Sequence, residues 1–395
     1  MTSALMATYR PADVAFDHGD GMYLYDLSGQ AYLDFNAGIA VSCLGHAHPH
    51  LVAALKAQAE KLWHTSNLYR IPHAERLAER LCRASFADRI FFTNSGAEAI
   101  ECAIKTARKH FHAKGEPDRY EIVTLTAAFH GRTLAAVAAA GKTEGFGPPM
   151  PGFRQVVAGS LDEVAAAIGP QTAAIMLEPV QGEGGVIPLP DTFLQGVRRL
   201  CDQRGLLLIA DEIQCGMGRT GKLFAHEWAG ITPDIVAAAK GIGGGFPLGA
   251  CLATAEASEA MQPGTHGSTY GGNPLATAVG NAVLDELQAD GFMAHVTAMG
   301  AVMEQRLSAF AEQYHNQVET VRGRGLMWGI KLRDGLINRD VVRAALHRGV
   351  LMAPAGDNVI RLLPPLIVTE AHIDEALDKL GSALADASTD AATVA

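Results

Sequence analysis

Short apolar runs, each ending on a polar residue, recur along the middle of the chain. Leu206-Leu207-Leu208-Ile209-Ala210 stops at Asp211-Glu212-Ile213-Gln214, and Ala173-Ala174-Ile175-Met176-Leu177 stops at Glu178. Ile235-Val236-Ala237-Ala238-Ala239 stops at Lys240 and a glycine-rich turn. Runs of this length without alternation predict strands buried on both faces. Arg89-Ile90-Phe91-Phe92-Thr93-Asn94 and Glu121-Ile122-Val123-Thr124-Leu125 are two further strands, leading into Ser95-Gly96 and Phe129-His130-Gly131-Arg132-Thr133. Between them the apolar spacing turns helical, at about 49–62, 73–84 and from Ala99 onward.

Outside this block the pattern changes. Residues 1–20 carry little periodicity and predict an extended arm, followed by a hairpin over 22–26 and 31–35. The stretch from Gly141 to Gly152, rich in Gly and Pro, predicts a long surface loop. Helices are expected at 275–288 and 294–314, a separate lobe from Gly323 with a strand near 359–365, a closing helix at 370–387, and a frayed tail from Ser388. Alternating strands and helices over about 70–255 predict a parallel or mixed sheet covered on both faces, whose strand ends share one crevice. The expected division is an arm and hairpin (1–45), a large domain (46–275), and linking helices with a small domain (276–395).

With 395 residues, 48% hydrophobic and 19% charged, the chain can bury a large interior in two or three lobes. A net charge of −10 argues against nucleic acid or anionic membrane as partner. Six cysteines without a C-x-x-C pair suit free thiols in a reducing compartment. No signal segment and no apolar run of membrane-spanning length are visible, so a cytoplasmic protein is expected.

Three features admit more than one reading. Asp211 at a buried strand end and Lys240 before a glycine-rich turn suit an aldehyde cofactor held as a Schiff base, with the acid keeping a pyridine ring protonated. They equally suit a turn cap and a solvated lysine. Ser95-Gly96 opening a helix suits a phosphate, or a plain N-cap with Glu98 completing a capping box. His46, His48 and His50 cluster without acidic partners or helical spacing, which argues against a metal site. Gly216-Met217-Gly218-Arg219-Thr220-Gly221-Lys222 imitates a P-loop, but Leu223 occupies the place of the magnesium-binding hydroxyl.

Taken together and in order, six motifs resemble those of the class III (ω-amino) aminotransferases. They are Ser95-Gly96-Ala97-Glu98-Ala99, Phe129-His130-Gly131-Arg132-Thr133, Glu178-Pro179-Val180-Gln181-Gly182-Glu183-Gly184, Asp211-Glu212-Ile213-Gln214, Lys240-Gly241 and Ser268-Thr269-Tyr270-Gly271-Gly272-Asn273-Pro274. The resemblance implies fold type I of the pyridoxal 5'-phosphate enzymes: a large domain with a mixed, mostly parallel seven-stranded sheet and a smaller α+β domain, assembled as a homodimer with shared sites. It implies that Lys240 forms the Schiff base and Asp211 pairs with the ring nitrogen. Ser95, Gly96 and Ala97 would hold the phosphate with Thr269 of the partner subunit. Phe129 and Ile213 would sandwich the ring, and Gln214 would sit near its phenolic oxygen. Arg132, Glu183, Arg361, Asn67 and Ser268 would contact substrate, with Glu183 covering Arg361 until a dicarboxylate arrives. His64-Thr65-Ser66-Asn67-Leu68-Tyr69 is similar to the acetylornithine branch. That branch implies transamination between N²-acetylornithine and 2-oxoglutarate, giving glutamate, in arginine biosynthesis. Succinylornithine, succinyldiaminopimelate, ornithine and 4-aminobutyrate stay open as alternative amines.

Overall fold

The computed structural model describes residues 4–394. Its centre is a seven-stranded sheet in the order Arg89–Thr93, Gly249–Ala253, Ile235–Ala238, Leu207–Asp211, Thr172–Leu177, Glu121–Leu125, Phe153–Val156. Only Gly249–Ala253 runs against the others, pairing antiparallel with both neighbours. The sheet is therefore mixed and mostly parallel. Thr172–Leu177, Leu207–Asp211, Ile235–Ala238 and Gly249–Ala253 are buried along their whole length, which is why the first three read as unbroken apolar runs.

Two of these strands were not anticipated. Phe153–Val156 is an edge strand whose middle residues, Arg154 and Gln155, are exposed, so it carries no buried run. Gly249–Ala253 is built of small residues directly after a Gly/Pro turn, and its only signal is burial itself. Helices cover both faces. Gly96–Ala113 buries Ile100, Ile104 and Ala107 on one side, and Asp191–Arg204 buries Phe193, Leu194 and Val197 on the other.

The remaining strands form smaller sheets. Val318–Arg324, Met327–Leu332, Val359–Leu362 and Ala353–Ala355 make an antiparallel sheet that carries Arg361, opposite Gly329 and Ala353. The predicted hairpin is present as Tyr23–Asp26 and Ala31–Asp34. Part of the expected arm is a third strand of that unit, Phe16–Asp20, and Val350–Leu351 joins it in parallel beside Ala31–Asp34. Helices at Pro49–Ala59, Pro72–Ala84, Pro274–Leu287 and Phe292–Gln313 lie close to their expected positions. The last helix, Glu370–Val394, continues into the stretch expected to fray. Among the described residues, no helix is long and apolar enough to cross a membrane.

Candidate active site

The parallel strands all point their carboxyl ends toward one edge of the sheet, and the turns leaving five of them line a single cavity of about 420 Å³. Arg89–Thr93 delivers Ser95, Gly96 and Ala97. Glu121–Leu125 delivers Phe129, His130 and Arg132, and Thr172–Leu177 delivers Glu178. Leu207–Asp211 contributes Asp211, Ile213 and Gln214, and Ile235–Ala238 contributes Lys240. A larger hollow of about 660 Å³ beside Cys102 and Cys251 has only the exposed Arg89, Glu256 and Glu259 as charged lining.

Lys240 sits at φ +50°, a left-handed backbone that costs a non-glycine residue about 1–2 kcal/mol. The strain buys a sharp exit from the strand into the single turn Lys240–Gly243, which Cys43 Sγ steadies by donating to Gly241 O at 3.2 Å. Burial, and then the nearby Arg361 cation, hold the Lys240 amine down to about 8, against the opposing pull of Glu183 and Asp211. A far larger share of this amine is therefore neutral near physiological pH than of an ordinary lysine, as a nucleophile or base requires.

Asp211 is 3% exposed. Its Oδ1 accepts from Ile213 N at 3.1 Å, and its Oδ2 lies 2.8 Å from His130 Nδ1. An ionised carboxylate only accepts, so the imidazole N–H donates here. Burial works against protonation of His130, but the bond and charge of Asp211 outweigh it and raise the ring above its usual value. Among the described residues, His130 Nε2 is buried without a hydrogen-bond partner. Glu178 completes the group. Its carboxylate accepts from Phe129 N at 3.0 Å and Gly182 N at 3.2 Å, and burial first, with Asp211 adding to it, pushes it up to about 7 despite the counter-pull of His130. Sequence reasoning gave neither His130 nor Glu178 a role. The available signal was the position of Glu178 at the end of a fully apolar strand.

Ser95 caps helix Gly96–Ala113, its Oγ accepting from Glu98 N at 3.3 Å. The capping box is displaced by one residue: Glu98 Oε2 accepts from Asn94 N at 2.7 Å instead of reaching Ser95 N. The first-turn N–H groups have no intrahelical acceptor, and they meet the cavity at the positive end of the helix dipole. A Cβ on Gly96 would lie 2.9 Å from Ile213 Cδ1, so glycine there lets Ile213 pack directly against the helix start.

At the cavity's edge, Arg361 is 1% exposed and its Nη1 donates to Glu183 Oε1 at 2.5 Å and to Gln214 Oε1 at 2.9 Å. Gln214 thus faces both the cavity and the buried guanidinium. Arg361 Nε is buried and has no hydrogen-bond partner among the described residues. The Arg361 charge holds Glu183 below the usual carboxylate range even though burial works the other way. Arg132 is exposed, with its Cζ 4.9 Å from the Phe129 ring centroid.

Five expected site residues do not line this cavity: Glu183 and Arg361, joined to it through Gln214, and Ser268, Thr269 and Asn67. Ser268 and Thr269 line a separate hollow of about 350 Å³ with Glu98, Glu101 and His266, and Asn67 Nδ2 donates to Ser268 O at 2.9 Å. The P-loop imitation is committed elsewhere: Arg219 is 2% exposed and donates to the carbonyls of Leu326 and Pro364, while Lys222 Nζ donates to Glu227 O at 3.0 Å. His46 Nε2 lies 2.7 Å from Asp34 Oδ2, joining the turn after Leu44 to the end of the hairpin.

The model of the aminotransferase class-III family matches residues 5–384. The chain belongs to this family. The acetylornithine aminotransferase of Mesorhizobium japonicum is 58% identical over 391 residues, covering 98% of both chains, and that of Brucella melitensis biotype 1 is 56% identical over 96% of this chain and 94% of its own. Among solved structures, N-acetylornithine aminotransferase from Stenotrophomonas maltophilia aligns with a TM-score of 0.84 at 40% identity, covering 95% of this chain and 96% of its own. Ornithine aminotransferase from Toxoplasma gondii aligns at 0.93 with 31% identity, covering 98% and 94%. Backbone likeness alone therefore does not separate these amines.

The enzyme is a pyridoxal-phosphate aminotransferase of fold type I. The residues present fit that cofactor. A helix start with free N–H groups suits its phosphate, and the apolar side chains of Phe129 and Ile213 in the same lining suit a flat ring. A buried anion, Asp211, suits its ring nitrogen, and a partly neutral amine, Lys240, suits its aldehyde.

Proposed function

We propose that the enzyme transfers the terminal amino group of N²-acetylornithine to 2-oxoglutarate, giving N-acetylglutamate 5-semialdehyde and glutamate, a step of arginine biosynthesis. The observation that carries this reading is the closed Glu183–Arg361 pair beside the cavity holding Lys240 and Asp211. One pocket must serve two substrates in turn. A buried arginine covered by a displaceable carboxylate hides its charge from a donor whose reactive end bears no carboxylate, and offers it to a dicarboxylate.

Pyridoxal phosphate, when bound, supplies an aldehyde for the amine and a cationic ring that takes up the electron pair left when a carbon-bound proton departs. Lys240 Nζ would hold the aldehyde and would accept and return the proton. Asp211, fixed by His130, would keep the ring nitrogen protonated, and Ser95, Gly96 and Ala97 would hold the phosphate. Phe129, Ile213 and Gln214 would hold the ring, and Arg132 would take the distal carboxylate of the substrate. Thr269, Ser268 and Asn67 belong to the site of the partner subunit in a homodimer. That reading is supported by their absence from this chain's own cavity lining and by large apolar side chains left exposed in the same two segments, Leu68 and Tyr69 beside Asn67 and Tyr270 beside Thr269. Six free cysteines, five of them buried, suit the cytoplasm.

The test follows the visible band of the holoenzyme during titration with N²-acetylornithine beside succinylornithine, ornithine and 4-aminobutyrate. Acetylornithine should bleach the band at the lowest concentration, and 2-oxoglutarate should restore it. A stronger response to another amine would keep the reaction and change the substrate. A band indifferent to every amine would refute the reading.

A further inference from the structure

Two cations converge on one aromatic ring at the outer end of the cavity. Arg132 Cζ lies 4.9 Å and Lys142 Nζ 5.7 Å from the centroid of Phe129, which lines the cavity together with Arg132. Among the described residues neither cation is paired with a carboxylate, in a chain whose net charge is −10. The mouth is therefore locally positive against the sign of the whole molecule.

Lys142 is not placed there by a loose loop. Helix Leu134–Ala139 ends in an interlocking pair of bonds, Lys142 N donating to Val137 O at 2.8 Å and Gly141 N to Ala138 O at 3.1 Å. Gly141 takes φ +66°, a left-handed backbone that favours glycine, at the residue that turns the chain and sets Lys142 beside the ring. The charge reaches inward: Lys142 is among the groups that push the buried His130 ring down.

We propose that Lys142, acting with Arg132, is a specificity-determining residue that makes the enzyme prefer an Nα-acylated diamino acid over the free diamino acid. This rests on the proposed ω-amino transfer, in which the far end of the donor lies at this mouth. A free donor presents an ammonium and a carboxylate together, and the ammonium meets two uncompensated cations. Acylation turns that ammonium into a neutral amide and leaves the carboxylate as the sole charge, which both cations attract. Arg132 alone could hold the carboxylate; the second cation adds the rejection.

The experiment uses the holoenzyme and its K142Q and K142R variants, Lys142 being exposed and outside the reacting groups. The ratio of kcat/KM for N²-acetylornithine to that for ornithine should fall about 3- to 10-fold in K142Q, mainly through KM, and recover in K142R. In parallel, N²-acetylnorvaline and norvaline, which lack the terminal amine, are titrated by calorimetry. Their Kd ratio should shift by a similar factor, and added salt should compress it more in the wild type than in K142Q, where only the Arg132 charge remains. Unchanged ratios in K142Q would overturn the proposal. A wild type that turns over neither amine yet shows the Lys142-dependent binding ratio would refute the ω-amino transfer and leave the selectivity standing.

Discussion

The amine of Lys240 offers a test in which two halves of one ion pair act in opposite directions. It titrates at about 8 where an ordinary lysine titrates near 10.5, so at pH 7 about 9% of it is neutral instead of about 0.03%, a ~300-fold gain in reactive form. Burial is the largest cause, Arg361 adds to it, and Glu183 opposes it. Stopped-flow growth of the visible band after mixing apoenzyme with pyridoxal phosphate, between pH 6 and 11, reads the midpoint directly. The wild type should give a midpoint of about 8. Arg361→Met removes a cation and uncovers Glu183, so the midpoint should rise; Glu183→Gln leaves the Arg361 charge uncompensated, so it should fall. The same shift carries a stability cost. An amine held below its unfolded value destabilises the apoenzyme wherever it is charged, by something on the order of 3 kcal/mol below about pH 8, and the cost fades as pH climbs toward 10.5. A wild-type midpoint above about pH 10, or variants that shift the same way, would refute the assigned causes.

Asp211→Ala should lower kcat by about 10³-fold while weakening cofactor retention far less, because the charge is needed most as the proton leaves; near-normal turnover would sink the assignment. His130→Gln disturbs the charged hydrogen bond at Asp211 Oδ2, a contact worth about 1.5–3 kcal/mol, so the cofactor Kd by fluorescence quenching should rise about tenfold or more. An unchanged Kd would reduce His130 to packing. Arg219→Leu leaves the Leu326 and Pro364 carbonyls without their donor and should cost about 1–3 kcal/mol in thermal melts, with activity retained at low temperature. Loss of turnover without loss of stability would instead tie Arg219 to the chemistry.

The chemistry was legible where burial and polarity conflict in the sequence. Asp211, Glu178 and Lys240 stand out because each interrupts a run that is otherwise inside, and the structure brings all three to one cavity. Partnerships were not legible. Nothing local says that His130 lies 2.8 Å from Asp211, since the two are separated by strands whose order the sequence does not print. Phe153–Val156 escaped because an edge strand has one wet side, and Gly249–Ala253 because its small residues carry no periodic signal. Ser268, Thr269 and Asn67 match the family motif, yet their proposed place in a chemical site depends on a second chain, which no pattern within one chain encodes.

The sheet formed by the amino-terminal hairpin and Val350–Leu351 ties Leu33 to Val350. A pairing so distant along the chain must wait for synthesis: while the ribosome holds a nascent chain that stops short of Val350, Ala31–Asp34 keeps a bare edge with nothing to bond. The strands ending in Asp211 and Lys240 are all made earlier and close among nearer neighbours. Synthesis therefore orders the contacts, with the strands that lead to Asp211 and Lys240 emerging before the lobe bearing Arg361. An amino-terminal fragment would retain the chemistry's anchor points but lack its substrate gate, and its unpaired hairpin edge is where such a fragment would aggregate.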